Sequence, residues 1–118
     1  MKSENFWKHL ERLAAGRCVI IDRPKGSHHP IYPGIIYPLD YGYLDGTTSG
    51  DGSGIDVWTG SSGSRDLSAV ILTIDMQKRD VEIKILLGCT ENEIQTILEF
   101  HNENDMRATL VRKPREKK

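Results

Sequence analysis

Apolar residues recur along this chain with two different periods, and the switch between them marks its elements. Phe6, Leu10, Leu13 and Ala14 stand at helical spacing behind Ser3, so a first helix is predicted with Ser3 as its cap and Gly16 as its stop. Cys18-Val19-Ile20-Ile21 is a short run rich in β-branched residues and reads as a strand, broken by Arg23-Pro24-Lys25-Gly26-Ser27. From there to Gly60 the chain carries Pro30, Pro33, Pro38 and many glycines, which predicts loops with short strands, one of them at 55–59. Residues 67–74 and 81–87 read as two longer strands. Only Met76-Gln77-Lys78-Arg79 lies between Asp75 and Asp80, so these strands should close as a hairpin.

Thr90-Glu91-Asn92-Glu93 has the form of a capping box, in which Thr90 accepts from the Glu93 backbone and Glu93 reaches back. Ile94, Ile97, Leu98 and His101 follow at helical spacing, giving an amphipathic helix near 91–102. A last strand is predicted at 109–112. The chain shows no internal repeat, linker or low-complexity segment. The order of elements predicts one α+β domain over 1–118, built on a small antiparallel sheet or barrel with flanking helices.

The chain has 118 residues, enough for one domain. Its 16 Lys and Arg against 17 Asp and Glu leave a net charge of -1, which argues against nucleic acid or anionic membrane as general partners. No apolar run approaches the roughly 20 residues of a membrane span. The first residues lack the apolar core of a signal peptide, and Cys18 and Cys89 have neither metal nor redox spacing. A cytoplasmic setting is therefore expected. The near-zero charge conceals a pattern. Residues 26–64 contain no Lys or Arg but four aspartates, Asp40, Asp45, Asp51 and Asp56. Residues 107–118 hold six basic residues against one Glu and read as a solvated tail.

Asp51 and Asp56 flank Gly52-Ser53-Gly54-Ile55, whose glycines allow a tight turn that aims both carboxylates into one cavity. Two close carboxylates repel unless a cation lies between them, and such oxygen donors suit Mg²⁺ or Mn²⁺. Asp-Gly is equally a plain turn former, and Ile55 at a ligand position rules out a calcium-binding EF-hand loop. Asp75 and Asp80 bracket the predicted hairpin turn. They serve as turn formers or, if aimed at Asp51 and Asp56, complete a set of four carboxylates that needs divalent metal. Tyr37, Tyr41 and Tyr43 offer phenol donors to phosphate oxygens or pack as core edges. Arg23, Lys25, His28 and His29 form a basic knot suited to phosphate or to solvent. His9 and His101 read as helix-face residues.

Tyr37-Pro38-Leu39-Asp40-Tyr41-Gly42-Tyr43, followed by Asp51-Gly52-Ser53-Gly54-Ile55-Asp56-Val57, resembles the Mg²⁺-dependent soluble inorganic pyrophosphatases of family I. Asp75 and Asp80 repeat the spacing of two further metal ligands of that family. The resemblance runs from about Ile20 to Asp80. It implies an OB-like five-stranded barrel with flanking helices, a cytoplasmic homo-oligomer, and Mg²⁺-dependent hydrolysis of pyrophosphate, with Mn²⁺ as an alternative ion. Carried over, it implies metal ligands at Asp51, Asp56, Asp75 and Asp80. Asp22 stands for a Glu that orients metal-bound water. Tyr41 and Tyr37 would lie beside the metal and phosphate.

The chain departs from that pattern at informative places. Ser53 stands where the family has the Asp that takes the proton of the attacking water, so reduced turnover is expected. Met76 replaces an acidic residue, and Glu82 replaces a phosphate-binding Lys. A hairpin bearing a Lys, a Glu and an Arg is replaced by residues 25–34. Phosphate binding then falls to Arg23, Lys25, His28, His29 or Lys78. The alternative reading is a non-catalytic module that binds metal, phosphate or protein on the same scaffold. A nucleic-acid-binding OB module is disfavoured by the 7% aromatic content and the acidic centre.

Overall fold

Alternation along the strands builds two cores, one on each face of a sheet. In the computed structural model, which describes residues 2–115, the elements are α1 (Lys2–Ala14), β1 (Val19–Arg23), β2 (Asp40–Leu44), β3 (Asp56–Thr59), β4 (Leu67–Asp75), β5 (Asp80–Leu87), α2 (Glu91–Phe100) and β6 (Met106–Arg112). Val57 of β3 joins Leu44, Val70 and Ile85 on one face, under Trp7 and Ala14 of α1. Its neighbour Trp58 points the other way and joins Ile71, Leu86, Ile94 and Ile97, with α2 as the cover. Burying each such side chain contributes about 1.5–3 kcal/mol.

The sheet order is β1-β2-β3-β5-β4-β6. All neighbours are antiparallel except β3 and β5, which run parallel. The α+β class and the OB-like character stand, but the expected closed antiparallel barrel does not. The sheet is open, with β1 and β6 at its edges, and has six strands. The parallel pair arises because the β4–β5 hairpin docks with β5, not β4, beside β3.

The capping box at Thr90 forms as predicted, with Glu93 N–H donating to the Thr90 hydroxyl and Thr90 N–H donating to Glu93. The stop at Gly16 also holds, with φ of 74° in the left-handed region. The first helix differs from its prediction in two ways. It starts at Lys2, so Ser3 lies within it and not before it. Its buried stripe is Trp7 and Ala14 with Leu10, whereas Phe6 is 49% and Leu13 37% exposed. Trp7 has more surface to bury than Phe6 and turns the helix by one position. The basic run is not all tail: Arg107 and Arg112 belong to β6, paired along β4, and Arg112 binds Glu91 of α2. Residues 116–118 of that run lie outside the described residues. No helix among the described residues is long and apolar enough to cross a membrane.

Gly42 has a reason to be glycine. A Cβ there would lie 1.8 Å from the Ile20 carbonyl oxygen. β1 presses this closely on β2 where its ladder slips: Ile21 pairs with Gly42, but Arg23 pairs with Tyr41. Asp22 is the extra residue of this bulge, and bulges re-aim side chains at the edges of sites.

Candidate functional site

Strand register assembles the site. Asp56 is the ladder partner of Tyr43 on one side and of Lys84 on the other. Glu82 and Lys84 are two apart on β5 and so share a face, as do Tyr41 and Tyr43 on β2. The result is a cleft of about 590 Å³ over β2, β3 and β5. Asp22 and Arg23 from the β1 bulge, His29 and Tyr37 from the preceding loop, and Asp51, Ser53 and Gly54 from the turn before β3 complete its wall, with Lys78. A second cavity of about 660 Å³ adjoins it past Tyr37, Tyr41 and Lys84, towards Tyr32, Phe100 and His101.

The centre of the cleft is Lys84, only 6% exposed. Its Nζ donates to the Tyr41 hydroxyl at 2.7 Å and to Asp56 Oδ2 at 2.8 Å, and lies 3.6 Å from Glu82 Oε2. Burial, reinforced by the Asp56 carboxylate, holds the Tyr41 phenol well above its ordinary pKa, so it stays protonated. Burial also raises the Glu82 carboxyl, with Asp56 adding to the effect and Lys84 opposing it.

Asp51 has a local role. Its Oδ1 accepts from the Ser49 hydroxyl at 2.6 Å and from the Ser53 N–H at 2.9 Å, and these bonds hold its carboxyl below the usual range. Gly54 is packed under Tyr43, whose ring would lie 2.6 Å from an added Cβ. His29 Nδ1 accepts from the backbone N–H of Ile31 and Tyr32 at 3.1 and 3.2 Å, which leaves a proton on Nε2. Burial, then Arg23 and Lys78, lower the His29 pKa, so the ring is neutral at pH 7.

Of the residues singled out from sequence, Asp22, Arg23, His29, Tyr37, Tyr41, Asp51, Ser53 and Asp56 line this cleft. Lys25 does not: its backbone N–H donates to Asp40 Oδ1 at 2.8 Å, tying down the loop. His28 holds the same loop, its Nδ1 lying 2.7 Å from the Pro33 carbonyl. The expected meeting of four aspartates does not occur. Asp75 and Asp80 are ladder partners across the hairpin, and Asp75 Oδ1 accepts from the Gln77 and Lys78 N–H groups at 3.0 and 3.1 Å. Asp75 lines the second cavity, and Asp80 lines neither.

Lys84 belongs to none of the motifs above. The signal lay in 80–87, where Glu82 and Lys84 alternate with Val81, Ile83 and Ile85, placing both charged residues on one face. His101 is also more than a helix-face residue. It is the buried C-cap of α2, and its Nε2 accepts from the Trp58 indole N–H at 3.0 Å. Burial lowers its pKa to about 3, so it is neutral. Burial pushes the Cys89 thiol up to about 12, which removes it as a nucleophile.

A resident divalent ion does not fit this donor set. Magnesium or manganese needs several oxygen donors converging on one point. Among the described residues no three His, Cys, Asp or Glu side chains form such a group, and Asp56 Oδ2 is already bonded to an ammonium.

No family model and no curated protein matches the sequence. Solved structures do match the fold. An inorganic pyrophosphatase from Helicobacter pylori superposes with a TM-score of 0.59 at 16% identity, over 80% of this chain and 81% of that one. An inorganic phosphatase from Anaplasma phagocytophilum gives 0.55 at 16%, again over 80% and 81%. The chain thus has a pyrophosphatase-like fold.

Proposed function

We propose that the chain is a slow hydrolase of pyrophosphate, or of a closely related phosphoanhydride, that takes its substrate as the magnesium or manganese complex. The observation that carries this reading is one cleft holding Arg23, Lys78 and Lys84 together with Tyr37, Tyr41, Asp51 and Asp56, on a pyrophosphatase-like fold. Phosphoryl transfer asks a protein mainly for positioning and charge neutralisation. Arg23 presents a planar fork suited to two phosphate oxygens, and Lys78 adds a mobile point charge. His29 donates through Nε2, and Lys84 has a third N–H to offer. Asp22 and Asp51 would face the ion that the substrate carries. Such mixed walls suit a metal–diphosphate complex better than a bare anion, which the four carboxylates of the cleft would repel.

The rate is limited by the missing base. Ser53 is a poor proton acceptor at neutral pH, and Asp56 is held by Lys84. Glu82, whose pKa is raised and whose Oε2 lies 3.6 Å from the same ammonium, beyond hydrogen-bond distance, is the carboxyl that would take the proton of the attacking water. Loss of a well-placed general base costs on the order of 10²–10⁴-fold in rate. The Lys84–Asp56 pair also favours a second reading, a module that binds the same ligand without turnover. Phosphate release from pyrophosphate in excess Mg²⁺ separates the two. The hydrolase reading expects release above an enzyme-free blank, cut at least about tenfold in Arg23→Ala/Lys78→Ala. Binding of magnesium pyrophosphate with no release would establish the second reading, and neither binding nor release would refute both.

A further inference from the structure

Lysine is among the residues least often buried, because its ammonium is costly to remove from water. Lys84 is 6% exposed and its position is set by the backbone, since the parallel β3–β5 ladder pairs it with Asp56. Its Nζ meets oxygens from three strands: the Tyr41 hydroxyl of β2, Asp56 of β3 and Glu82 of β5. Convergent oxygens on rigid strands are the surroundings in which proteins hold cations. Without a positive charge between them, Asp56 and Glu82 would repel in a partly buried place. One fixed charge on a covalent tether supplies it. A divalent ion bound at Asp56 Oδ2 would lie within about 5 Å of the same ammonium, and two positive charges that close repel.

We propose that Lys84 is the built-in cation of this cleft. Its ammonium stands between Asp56 and Glu82 in the place of a divalent ion, so the unliganded protein holds no such ion there, and metal enters only on a ligand. The claim concerns the free protein and holds whether or not the cleft hydrolyses anything.

Binding of Mn²⁺ alone, read by the loss of its free-ion electron paramagnetic resonance signal, tests this. Wild type and Lys84→Arg should show no saturable site below about millimolar Mn²⁺. Lys84→Gln, which frees the carboxylates, should gain one site of at least about tenfold tighter binding, and adding Asp56→Asn should abolish it. The same ion should raise the melting temperature of Lys84→Gln and leave that of wild type unchanged. A lysine with only a packing role would produce neither gain. Should Lys84→Gln be unfolded alone, Mn²⁺ should restore its circular dichroism. The proposal is overturned by stoichiometric Mn²⁺ binding to wild type that Asp56→Asn removes. It is equally overturned if Lys84→Gln neither gains a site nor is refolded by Mn²⁺.

Discussion

Two pairs of aspartates sit five residues apart in this chain, Asp51 with Asp56 and Asp75 with Asp80, and they meet different fates. The first members behave alike: Asp51 and Asp75 each turn a side-chain oxygen onto the backbone N–H two residues on and so stabilise their own turns. The second members diverge. Asp80 opposes Asp75 beside the turn of a hairpin. Asp56 enters a strand whose parallel neighbour delivers Lys84, and it becomes half of a partly buried ion pair beside a tyrosine. Spacing therefore determines the turn, while the neighbouring strand determines the chemistry.

The largest predicted effect comes from breaking the Asp56 side of that comparison. Lys84→Met leaves Asp56 and Tyr41 partly buried without their donor and should cost about 3 kcal/mol of stability by urea denaturation. An equal stability would remove Lys84 from the centre of the account. Next is the buried pair behind the cleft. Trp58→Phe deprives His101 Nε2 of its donor in a buried place and should cost about 1–3 kcal/mol, beyond any loss of packing.

His101 also predicts a pH dependence. Its pKa is about 3 in the folded state and near 6.5 when unfolded, so the unfolded chain binds the proton first. The resulting stability is complete above about pH 6.5 and is lost as pH falls towards 3. A His101→Gln variant should lose less stability than wild type across that window in melts at stepped pH; parallel curves would contradict the assignment. The smallest effect belongs to the first members. Asp75→Asn keeps an acceptor oxygen and should change stability by less than about 1 kcal/mol, with phosphate release unaltered. Loss of release in that variant would return Asp75 to the site.

Much of this was legible beforehand for a physical reason: it depended on local pattern. The capping box at Thr90, the hairpin between Asp75 and Asp80, and the turn that aims Asp51 into a cleft follow from residues within five of one another. What was not legible depended on partners far along the chain. Lys84 is 28 residues from Asp56 and 43 from Tyr41, and only the placement of β5 beside β3 brings them together. The same placement leaves Asp75 and Asp80 outside the charged cleft. The helical stripe of α1 lies one position from its predicted place because Phe6 and Trp7 are both apolar, and which of them faces the sheet is decided by fit.

A ³¹P nuclear magnetic resonance time course of pyrophosphate with the protein and excess Mg²⁺ tests the central claim most directly, because it reports binding and turnover together. The account predicts a broadened or shifted pyrophosphate resonance, with inorganic phosphate growing slowly above an enzyme-free sample. Both effects should be strongly reduced in Arg23→Ala/Lys78→Ala. A pyrophosphate resonance unchanged in position and width, with no phosphate above the blank, would contradict it.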